Sequence, residues 1–376
     1  MDFTELSLSK SKIYKKKLLN NIQNFKKILS KQTTFMAVIK ANAYGHGAVE
    51  LAQFMEAKQA ADYFGLAQLG EALELRKAGI ETPILIFNAV RLSEIDLAIE
   101  NNISLTVFSA ELALAIVKRA ESLKKQALVH LKIDSGMGRI GICQFSEAYK
   151  IYQMLHSSLV TIEGIYTHFA DATHRNPNNF TEEQFNVFKK IVDQFEEKDI
   201  HFNLVHACNT AATINFPEYH LDMVRVGIGL YGFNPTSLED NKINLQPIQN
   251  VEARITHLKD FPAGHSIGYG RNFFSTEPMR VATIGIGYAD GLPKALSNKA
   301  CFRYQGKKLP IVGDICMDQI MIDSSQATDL KVGDYLNYFG DPAEGYSSAE
   351  ELAQLIDSSS YELLCALGRR IDRIYE

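Results

Sequence analysis

A single lysine stands at the end of an apolar run in the first part of the chain. Lys40 lies within the segment 37–47, AVIKANAYGHG. Continuous apolar runs are typical of strands that are buried on both faces of a sheet. Burial lowers the pKa of an ammonium group, and the resulting neutral amine can form an imine with an aldehyde. Taken alone, Lys40 fits better an ordinary strand-end lysine with its head in solvent.

Polar side chains also follow other apolar runs, at points where a parallel strand would end. They are Lys132 with Asp134 and Arg139, His168, His206 with Asn209, and Arg225. A lone histidine among these is more often a hydrogen-bonded core residue than a catalyst. In a barrel of parallel strands, however, the carboxyl ends of all strands meet at one mouth, and the chemistry gathers there. The convergence of these residues therefore favours an active site.

A glycine-rich segment, RVGIGLYG at 225–232, follows the last of these runs. The final two loops of a barrel often bind phosphate through backbone N–H groups and a helix N-terminus, and glycine permits the close approach. Such a loop opposite an imine-forming Lys40 indicates a phosphorylated aldehyde. We expect pyridoxal 5'-phosphate (PLP) as the cofactor.

The elements that position these residues alternate between short apolar runs and amphipathic segments. The strand-like runs begin near Phe35, Tyr63, Ile84, Leu105, Leu128, Ile162, Asn203 and Met223. Strands that alternate with helices indicate right-handed βαβ units and a parallel sheet. Eight such units fit a closed (β/α)8 barrel of the TIM type better than an open doubly wound sheet.

The pattern changes near Pro235, where strand-like runs separated by Gly and Asp turns replace the alternation. The chain of 376 residues is also long for one domain. We therefore predict an α/β protein with an N-terminal PLP-binding barrel domain at 1–236. A C-terminal, mostly β domain follows at 237–376.

The composition excludes several classes of protein. A net charge of -5 with mixed signs gives no electrostatic footprint for nucleic acid. The five cysteines are odd in number and scattered, which argues against a disulfide framework and a zinc site, and we expect no metal. No apolar run approaches the roughly 18 residues that a membrane span needs. We expect a soluble, cytoplasmic protein that acts on a small molecule.

Motifs along nearly the whole chain resemble one family. The segment AVIKANAYGHG resembles the cofactor-lysine motif of alanine racemases, which are PLP enzymes of fold type III. Further segments resemble the family and occur in its order: HLKIDSGMGRIG, THFADA, HACNTAA, MVRVGIGLYG, HSIGYGR, IGYADG and GDICMDQ. The resemblance implies the same barrel and β domain.

The resemblance also implies roles for individual positions. Lys40 would hold PLP covalently and act as one acid/base group, and Tyr269 would be the other. The implied cofactor contacts are Lys40, Tyr44, His168, Thr210, Arg225, Gly227, Ile228 and Tyr361. The implied substrate contacts are Arg139, Tyr288, Cys316 and Met317, with Lys132 and Asp318 in supporting positions. The family takes the equivalents of Tyr269, Tyr288 and Met317 from the partner subunit, which implies a homodimer with shared active sites.

Racemisation requires these residue types. The α-proton of an amino acid leaves from one face and returns to the other, so two acid/base groups must stand on opposite sides. An ordinary tyrosine is a poor base at neutral pH, and a cation such as Arg139 would stabilise the phenolate of Tyr269. The guanidinium of Arg225 stays protonated and cannot accept a proton from the cofactor's ring nitrogen. We expect it to suppress transamination.

The sequence departs from the family pattern at some positions, and it is also compatible with other functions. Thr210 stands where the family usually has serine, Lys132 is carbamylated in some members, and Cys316 could be a nucleophile although no histidine is in register. The alternatives are a racemase of broader specificity, acting on serine or lysine, and a non-catalytic PLP carrier. A basic amino acid decarboxylase would carry a triple-glycine loop and a Cys-Asp pair that we do not find.

Overall fold

The structure is a computed structural model that describes residues 7–175, 180–236 and 243–376. The chain divides into two units. The barrel unit consists of the described residues of Leu19–Ala43 and Ala48–Leu245. The sheet unit consists of the described residues of Met1–Leu18, Tyr44–Gly47 and Gln246–Glu376. The predicted domain boundary adjoins residues 237–242, which lie outside the described part, and it stays a prediction.

Eight parallel strands close the barrel. They follow β1 (Ser9–Ile13), which belongs to the sheet unit. The barrel strands are β2 (Thr34–Val38), β3 (Tyr63–Leu66), β4 (Ile84–Ile86), β5 (Ile103–Val107), β6 (Ala127–Lys132), β7 (Val160–Tyr166), β8 (Leu204–His206) and β9 (Met223–Val226). Each strand pairs with the next, and β9 pairs with β2. The continuous apolar runs of these strands are buried because helices cover one face and the barrel interior the other.

The helices of the first two-thirds of the chain connect these strands. They are Lys15–Lys27, Ala48–Ala57, Leu69–Lys77, Ile95–Glu100, Ala110–Leu123, Phe145–Met154, Phe180–Glu196 and Thr210–Asn215. Their apolar residues recur at helical spacing, as in Phe188, Ile191 and Phe195, which are all buried. Side-chain caps fix some of their starts: Ser109 Oγ accepts the N–H of Leu112 at 3.3 Å.

The sheet unit is mostly β. Its strands are β1, β10 (Gln249–Phe261), β11 (Ser266–Ile267), β12 (Phe273–Phe274), β13 (Met279–Ile284), β14 (Cys301–Tyr304), β15 (Lys307–Pro310), β16 (Ile320–Asp323), β17 (Tyr335–Phe339) and β18 (Asp372–Tyr375). The main sheet has the order β15-β14-β17-β10-β1-β18, and β13 and β16 continue from the long strand β10. Two helices, Ala349–Gln354 and Ser360–Ala366, lie between β17 and β18.

The predicted fold class is confirmed. All eight barrel strands begin within two residues of the predicted positions, and a separate, mostly β unit follows. The sequence pattern did not indicate β1, β18 or the hairpin of β11 and β12. Among the described residues, no helix is both long and apolar enough to span a membrane.

Candidate active site

Lys40 is the second residue after the first barrel strand, and the backbone that follows it is unusual. The segment Lys40–Tyr44 forms one turn of left-handed helix: Ala41, Asn42 and Ala43 all have φ of 53°. Tyr44 continues this conformation at φ 51°. Each non-glycine residue in the left-handed region costs about 1–2 kcal/mol. Strain of this kind persists where surrounding contacts impose it, and it is concentrated at functional sites.

Two side chains of the barrel unit hold the left-handed turn. Glu71 Oε1 accepts the N–H of Ala41 at 2.6 Å, and Asn42 Oδ1 accepts the N–H of Ala48 at 2.8 Å. The other oxygen of Glu71 accepts the N–H groups of Ala67 and Gln68, at the start of helix Leu69–Lys77. Glu71 therefore ties the lysine-bearing turn to a helix N-terminus.

Arg225 lies near the end of the last barrel strand, and its guanidinium is buried among several acceptors. Nη1 donates to His206 Nδ1 at 2.8 Å, and Nη2 donates to the carbonyl oxygens of Thr167 and Ala207, each at 2.8 Å. Burial lowers the pKa of Arg225 to about 10, so the group is still protonated at neutral pH. Among the described residues, its Nε–H and the second N–H of Nη1 have no hydrogen-bond partner, and both are left for a ligand.

Lys132 and Tyr166 lie next to this arginine inside the barrel. Lys132 Nζ is 4.8 Å and Arg225 Cζ 5.3 Å from the centre of the Tyr166 ring. Burial, followed by the positive charge of Arg225, lowers the pKa of Lys132 well below its usual value. Lys132 is thus a buried amine that loses its proton easily.

His168 belongs to the same cluster. Its Nδ1 accepts from Arg225 Nη2 at 3.3 Å. Burial, followed by the charges of Arg225 and Lys132, lowers the pKa of His168 well below its usual value. Smaller contributions come from Arg139 and Lys40, which places both within electrostatic range of the imidazole. The structure therefore brings five predicted site residues of the barrel unit together.

Arg139 is exposed on a loop that Asp134 organises. The Asp134 carboxylate accepts three backbone N–H groups, those of Gly136 at 2.9 Å and of Gly138 and Arg139 at 3.1 Å. Burial raises the pKa of Asp134, but backbone N–H groups, among them those of Gly136 and Gly138, outweigh it, and the net pKa is lowered. From the sequence, Asp134 is only a polar residue at a strand end; in the fold it positions the loop of Arg139.

Thr210 and Ile228, on either side of Gly227 in the fold, offer donors suited to an anion. The hydroxyl oxygen of Thr210 lies 2.9 Å from the N–H of Gly227 and accepts it. Ile228 begins a short 3-10 helix, Ile228–Tyr231, so its N–H has no partner inside that helix. Gly229 permits the close packing, because a Cβ there would lie 2.5 Å from the ring of Phe25. This chemistry fits the phosphate of a cofactor.

Three predicted substrate contacts come together in the sheet unit. The N–H of Tyr288 donates to the carbonyl of Cys316, and the N–H of Ala289 donates to that of Met317, both at 3.0 Å. Gly287 permits this approach, since a Cβ there would be 2.3 Å from the Met317 carbonyl oxygen. Burial raises the pKa of the Cys316 thiol, which argues against the nucleophile alternative.

Tyr269 lies in the turn between β11 and β12. Its side chain is 73% exposed, and its hydroxyl has no hydrogen-bond partner among the described residues. The flanking Gly268 and Gly270 have φ of 79° and 68°, a conformation that favours glycine. The turn thus presents an aromatic hydroxyl to the surroundings of this unit.

The remaining predicted residues of the sheet unit have identifiable contacts. The ring of Tyr44 lies 6.1 Å from that of Tyr361. Asp318 accepts from Arg370 Nη1 at 2.7 Å, while Arg370 Nε is 3.1 Å from the buried carboxylate of Asp290. Asp290 in turn accepts the N–H of Gly287 at 2.8 Å. Sequence reasoning gave no role to Asp290 or Arg370, because only the fold shows that they tie the Tyr288 and Met317 segments together.

Comparisons with known proteins bear on this arrangement. The family model "Alanine racemase, N-terminal domain" matches residues 13–235, and "Alanine racemase, C-terminal domain" matches residues 248–375. "Alanine racemase 2" of Oceanobacillus iheyensis is 44% identical over 95% of this chain and 90% of its own length. The chain belongs to the alanine racemase family. This racemase is therefore an isomerase.

Solved structures agree with the assignment. An alanine racemase of Clostridium difficile 630 superposes with a TM-score of 0.93 at 37% identity, covering 98% of this racemase and 96% of that chain. The alanine racemase of Bacillus anthracis with bound L-Ala-P superposes with a TM-score of 0.91 at 32% identity, covering 98% and 95% of the two chains. The racemase thus shares the family fold over nearly its whole length.

Proposed function

We propose that this racemase interconverts L-alanine and D-alanine with PLP as its cofactor. The observation that carries the proposal is the enclosed, protonated guanidinium of Arg225, whose Nε–H is left for an acceptor. The anion donors of Thr210 and Ile228 lie, with Gly227, on the same side of the barrel. A ligand with both an aromatic ring nitrogen and a phosphate would use both sets.

The proposed cofactor contacts divide into three groups. Lys40 would hold PLP through Nζ, and Arg225 and His168 would lie against its ring. Tyr44 and Tyr361 would join Thr210, Gly227 and Ile228 in binding the phosphate. When bound, PLP supplies an electron sink that stabilises the negative charge left on the α-carbon of the substrate.

Proton transfer is the task of two side chains. Lys40 would take or return the α-proton on one face of the substrate, and Tyr269 of the partner subunit would do so on the other. Arg139 would stabilise the phenolate form of that tyrosine. Arg139, Tyr288, Cys316 and Met317 would contact the substrate, with Lys132 and Asp318 in support.

A homodimer with shared active sites follows from this division of labour. Support comes from the sheet unit, where Tyr269, Tyr288 and Met317 are 73%, 45% and 52% exposed. Large apolar and aromatic side chains that remain exposed together are typical of protein interfaces. We further propose that the enzyme acts in the cytoplasm and supplies D-alanine for peptidoglycan precursors.

One experiment on the purified protein tests the activity. We expect an absorbance band near ~420 nm, typical of PLP bound to lysine, that is lost in Lys40→Ala. Chiral analysis after incubation with L-alanine should show D-alanine. Formation of D-serine or D-lysine at comparable rates would instead favour the broader-specificity racemase, and the band without any D-amino acid would favour the carrier.

A growth test addresses the biological role. We expect the wild-type gene, but not Lys40→Ala, to support growth of a D-alanine auxotroph without added D-alanine. Failure of the wild type in this strain, despite racemisation in vitro, would contradict the biosynthetic role.

A further inference from the structure

A line of buried polar groups runs through the barrel interior from Arg225 to Glu163. Arg225 Nη1 is 2.8 Å from His206 Nδ1, and His206 Nε2 is 3.1 Å from His130 Nδ1. His130 Nε2 is 3.5 Å from Glu163 Oε2. Both imidazoles are fully buried. None of His130, His206 and Glu163 has a part in the proposed chemistry.

The hydrogen-bond chemistry gives this line one direction. A guanidinium can only donate, so His206 Nδ1 must accept and its proton must be on Nε2. His206 then donates to His130 Nδ1, which leaves the proton of His130 on Nε2, facing the carboxylate. That nitrogen makes no hydrogen bond to a described residue, and the carboxylate oxygen of Glu163 lies within ion-pair distance of it at 3.5 Å. An ionised carboxylate can only accept, so both ends of the line require the same orientation.

Irregular backbone places Glu163 in this line. The register between β6 and β7 shifts after Val129, which pairs with Ile162, whereas His130 pairs with Gly164. Glu163 is therefore the extra residue of a β-bulge, a feature that re-aims a side chain. Gly164 leaves the space for the imidazole, because a Cβ there would lie 2.7 Å from His130 Nδ1.

Further donors keep Glu163 ionised. Its Oε2 accepts from Tyr63 at 2.9 Å and from Ser104. Although burial raises the pKa of Glu163, the nearby imidazole of His130 and the hydrogen bonds from Ser104 and Tyr63 outweigh it, and the net pKa is lowered. Burial, followed by the charge of Arg225, lowers the pKa of His206 well below its usual value. Two imidazoles, of His206 and His130, thus lie between a cation and a carboxylate.

We propose that Glu163 is a positioning residue of the racemase. Through His130 and His206 it sets the tautomer that leaves His206 Nδ1 free to accept from Arg225. The guanidinium is thereby held in the orientation that presents Nε–H to a ligand. The expected effect of Glu163 on catalysis rests on the proposed function, whereas the expected tautomers of His130 and His206 do not.

The informative variant is Glu163→Gln, which is nearly isosteric. The amide places an N–H donor where the carboxylate accepts, so His130 can reverse and accept at Nε2. His206 would then carry its proton on Nδ1, facing the donor Arg225. The matched control is Tyr63→Phe, which removes a hydrogen bond to the same carboxylate but leaves the line intact.

The first readout is the ¹⁵N spectrum of histidine-labelled protein near neutral pH, with His206 assigned by comparison with His206→Asn. We expect only the Nε2–H tautomer in the wild type and in Tyr63→Phe, and a second, Nδ1–H tautomer in Glu163→Gln. A wild-type His206 that carries its proton on Nδ1, or is doubly protonated, overturns the proposal without any variant. An unchanged spectrum in folded Glu163→Gln overturns it as well.

The second readout is the rate of alanine racemisation. We expect Glu163→Gln to lower kcat about tenfold with little change in KM, the low end of the effect of outer-shell partners. In an Arg225→Lys background the same substitution should have less than a twofold effect, because the line then ends on a different group. An equal loss in both backgrounds would mean that Glu163 acts through stability and not through Arg225. Because the spectrum needs neither cofactor nor substrate, failure of the proposed function and failure of this inference are distinguishable.

Discussion

The charge of Arg225 is a residue-scale determinant of what the enzyme does with its substrate. In the proposed function, a guanidinium that is protonated at neutral pH would donate to the cofactor's ring nitrogen and could not take a proton from it, which would keep the electron sink weak. We predict that Arg225→Glu raises transamination of alanine relative to racemisation. Pyruvate and D-alanine measured in the same reaction give the ratio, and an unchanged ratio would contradict this account.

The buried His206 leads to a second prediction at the scale of single residues. Because the pKa of His206 is lowered in the fold, the unfolded chain binds more protons below about pH 6.5, the usual value of a free histidine. Stability therefore falls as the pH falls below that value, by up to about 1.4 kcal/mol per pH unit for each such group. We predict a shallower decline for His206→Asn, measured by urea denaturation at several pH values.

Thr213→Val is a suitable control for this measurement. It removes a buried hydroxyl that donates to the carbonyl of Asn209 at 2.8 Å, without removing a titrating group. Its unfolding free energy should be lower than that of the wild type at every pH, while the slope is kept. A wild-type slope in His206→Asn would show that this histidine is protonated in the fold.

The site residues differ in how far the sequence predicts them. Lys40, Lys132, His168 and Arg225 could be found because each ends an apolar strand, and barrel strands end at one mouth. Glu163 could not, since it lies inside a strand and faces the interior only because of a bulge. Asp290 and Glu71 were also missed, because their hydrogen bonds are to backbone N–H groups that only the folded chain brings near.

At the scale of elements, the left-handed turn after β2 stores conformational energy beside the lysine. Ala41 is exposed and has φ of 53°, so its substitutions test the backbone without repacking a core. We predict that Ala41→Gly leaves the unfolding free energy unchanged or raises it by up to about 1 kcal/mol, since glycine avoids the Cβ penalty but costs chain entropy. Ala41→Val should lower it by about 1–2 kcal/mol.

Urea denaturation of the two variants provides the measurement, and cofactor affinity a second readout. If Ala41→Val is as stable as Ala41→Gly, the left-handed turn is not present in solution. Weaker PLP binding in Ala41→Val alone would show that the turn conformation positions Lys40.

The secondary structure shows which elements the sequence could predict. Barrel strands and their helices were recognisable because burial on both faces leaves continuous apolar runs and burial on one side leaves a helical stripe. Strand β1 reads SKSKI, in which only alternate positions are buried and two of the outward residues are lysines. Its strand character depends on β10 and β18, which lie far away in the sequence.

At the scale of the whole molecule, shared active sites make a quantitative prediction. Lys40→Ala and Tyr269→Ala should each be inactive as homodimers. In a dimer of one Lys40→Ala chain and one Tyr269→Ala chain, one active site contains both substitutions and the other contains neither. Random reassociation would then restore about a quarter of the wild-type activity, since half of the dimers are mixed and each has one intact site.

The mixing experiment needs denaturation and refolding of the two variants together. Each variant refolded alone is the control and should remain inactive. Absence of activity in the mixture, with mixed dimers demonstrated by differently tagged chains, would mean that each site draws both residues from one subunit.

The position of β1 in the sheet has a consequence for how the protein is made. Ser9 pairs with Ala253 and Ser11 with Arg373, so β1 emerges from the ribosome long before either neighbour exists. The barrel strands, which end at Val226, can all pair during that interval. Throughout it, β1 presents open edges of the kind that recruit other chains, and lysines on an edge discourage such pairing. We therefore expect Lys10 and Lys12 to discourage aggregation of the nascent chain until Glu252, with which both form ion pairs in the fold, has been made.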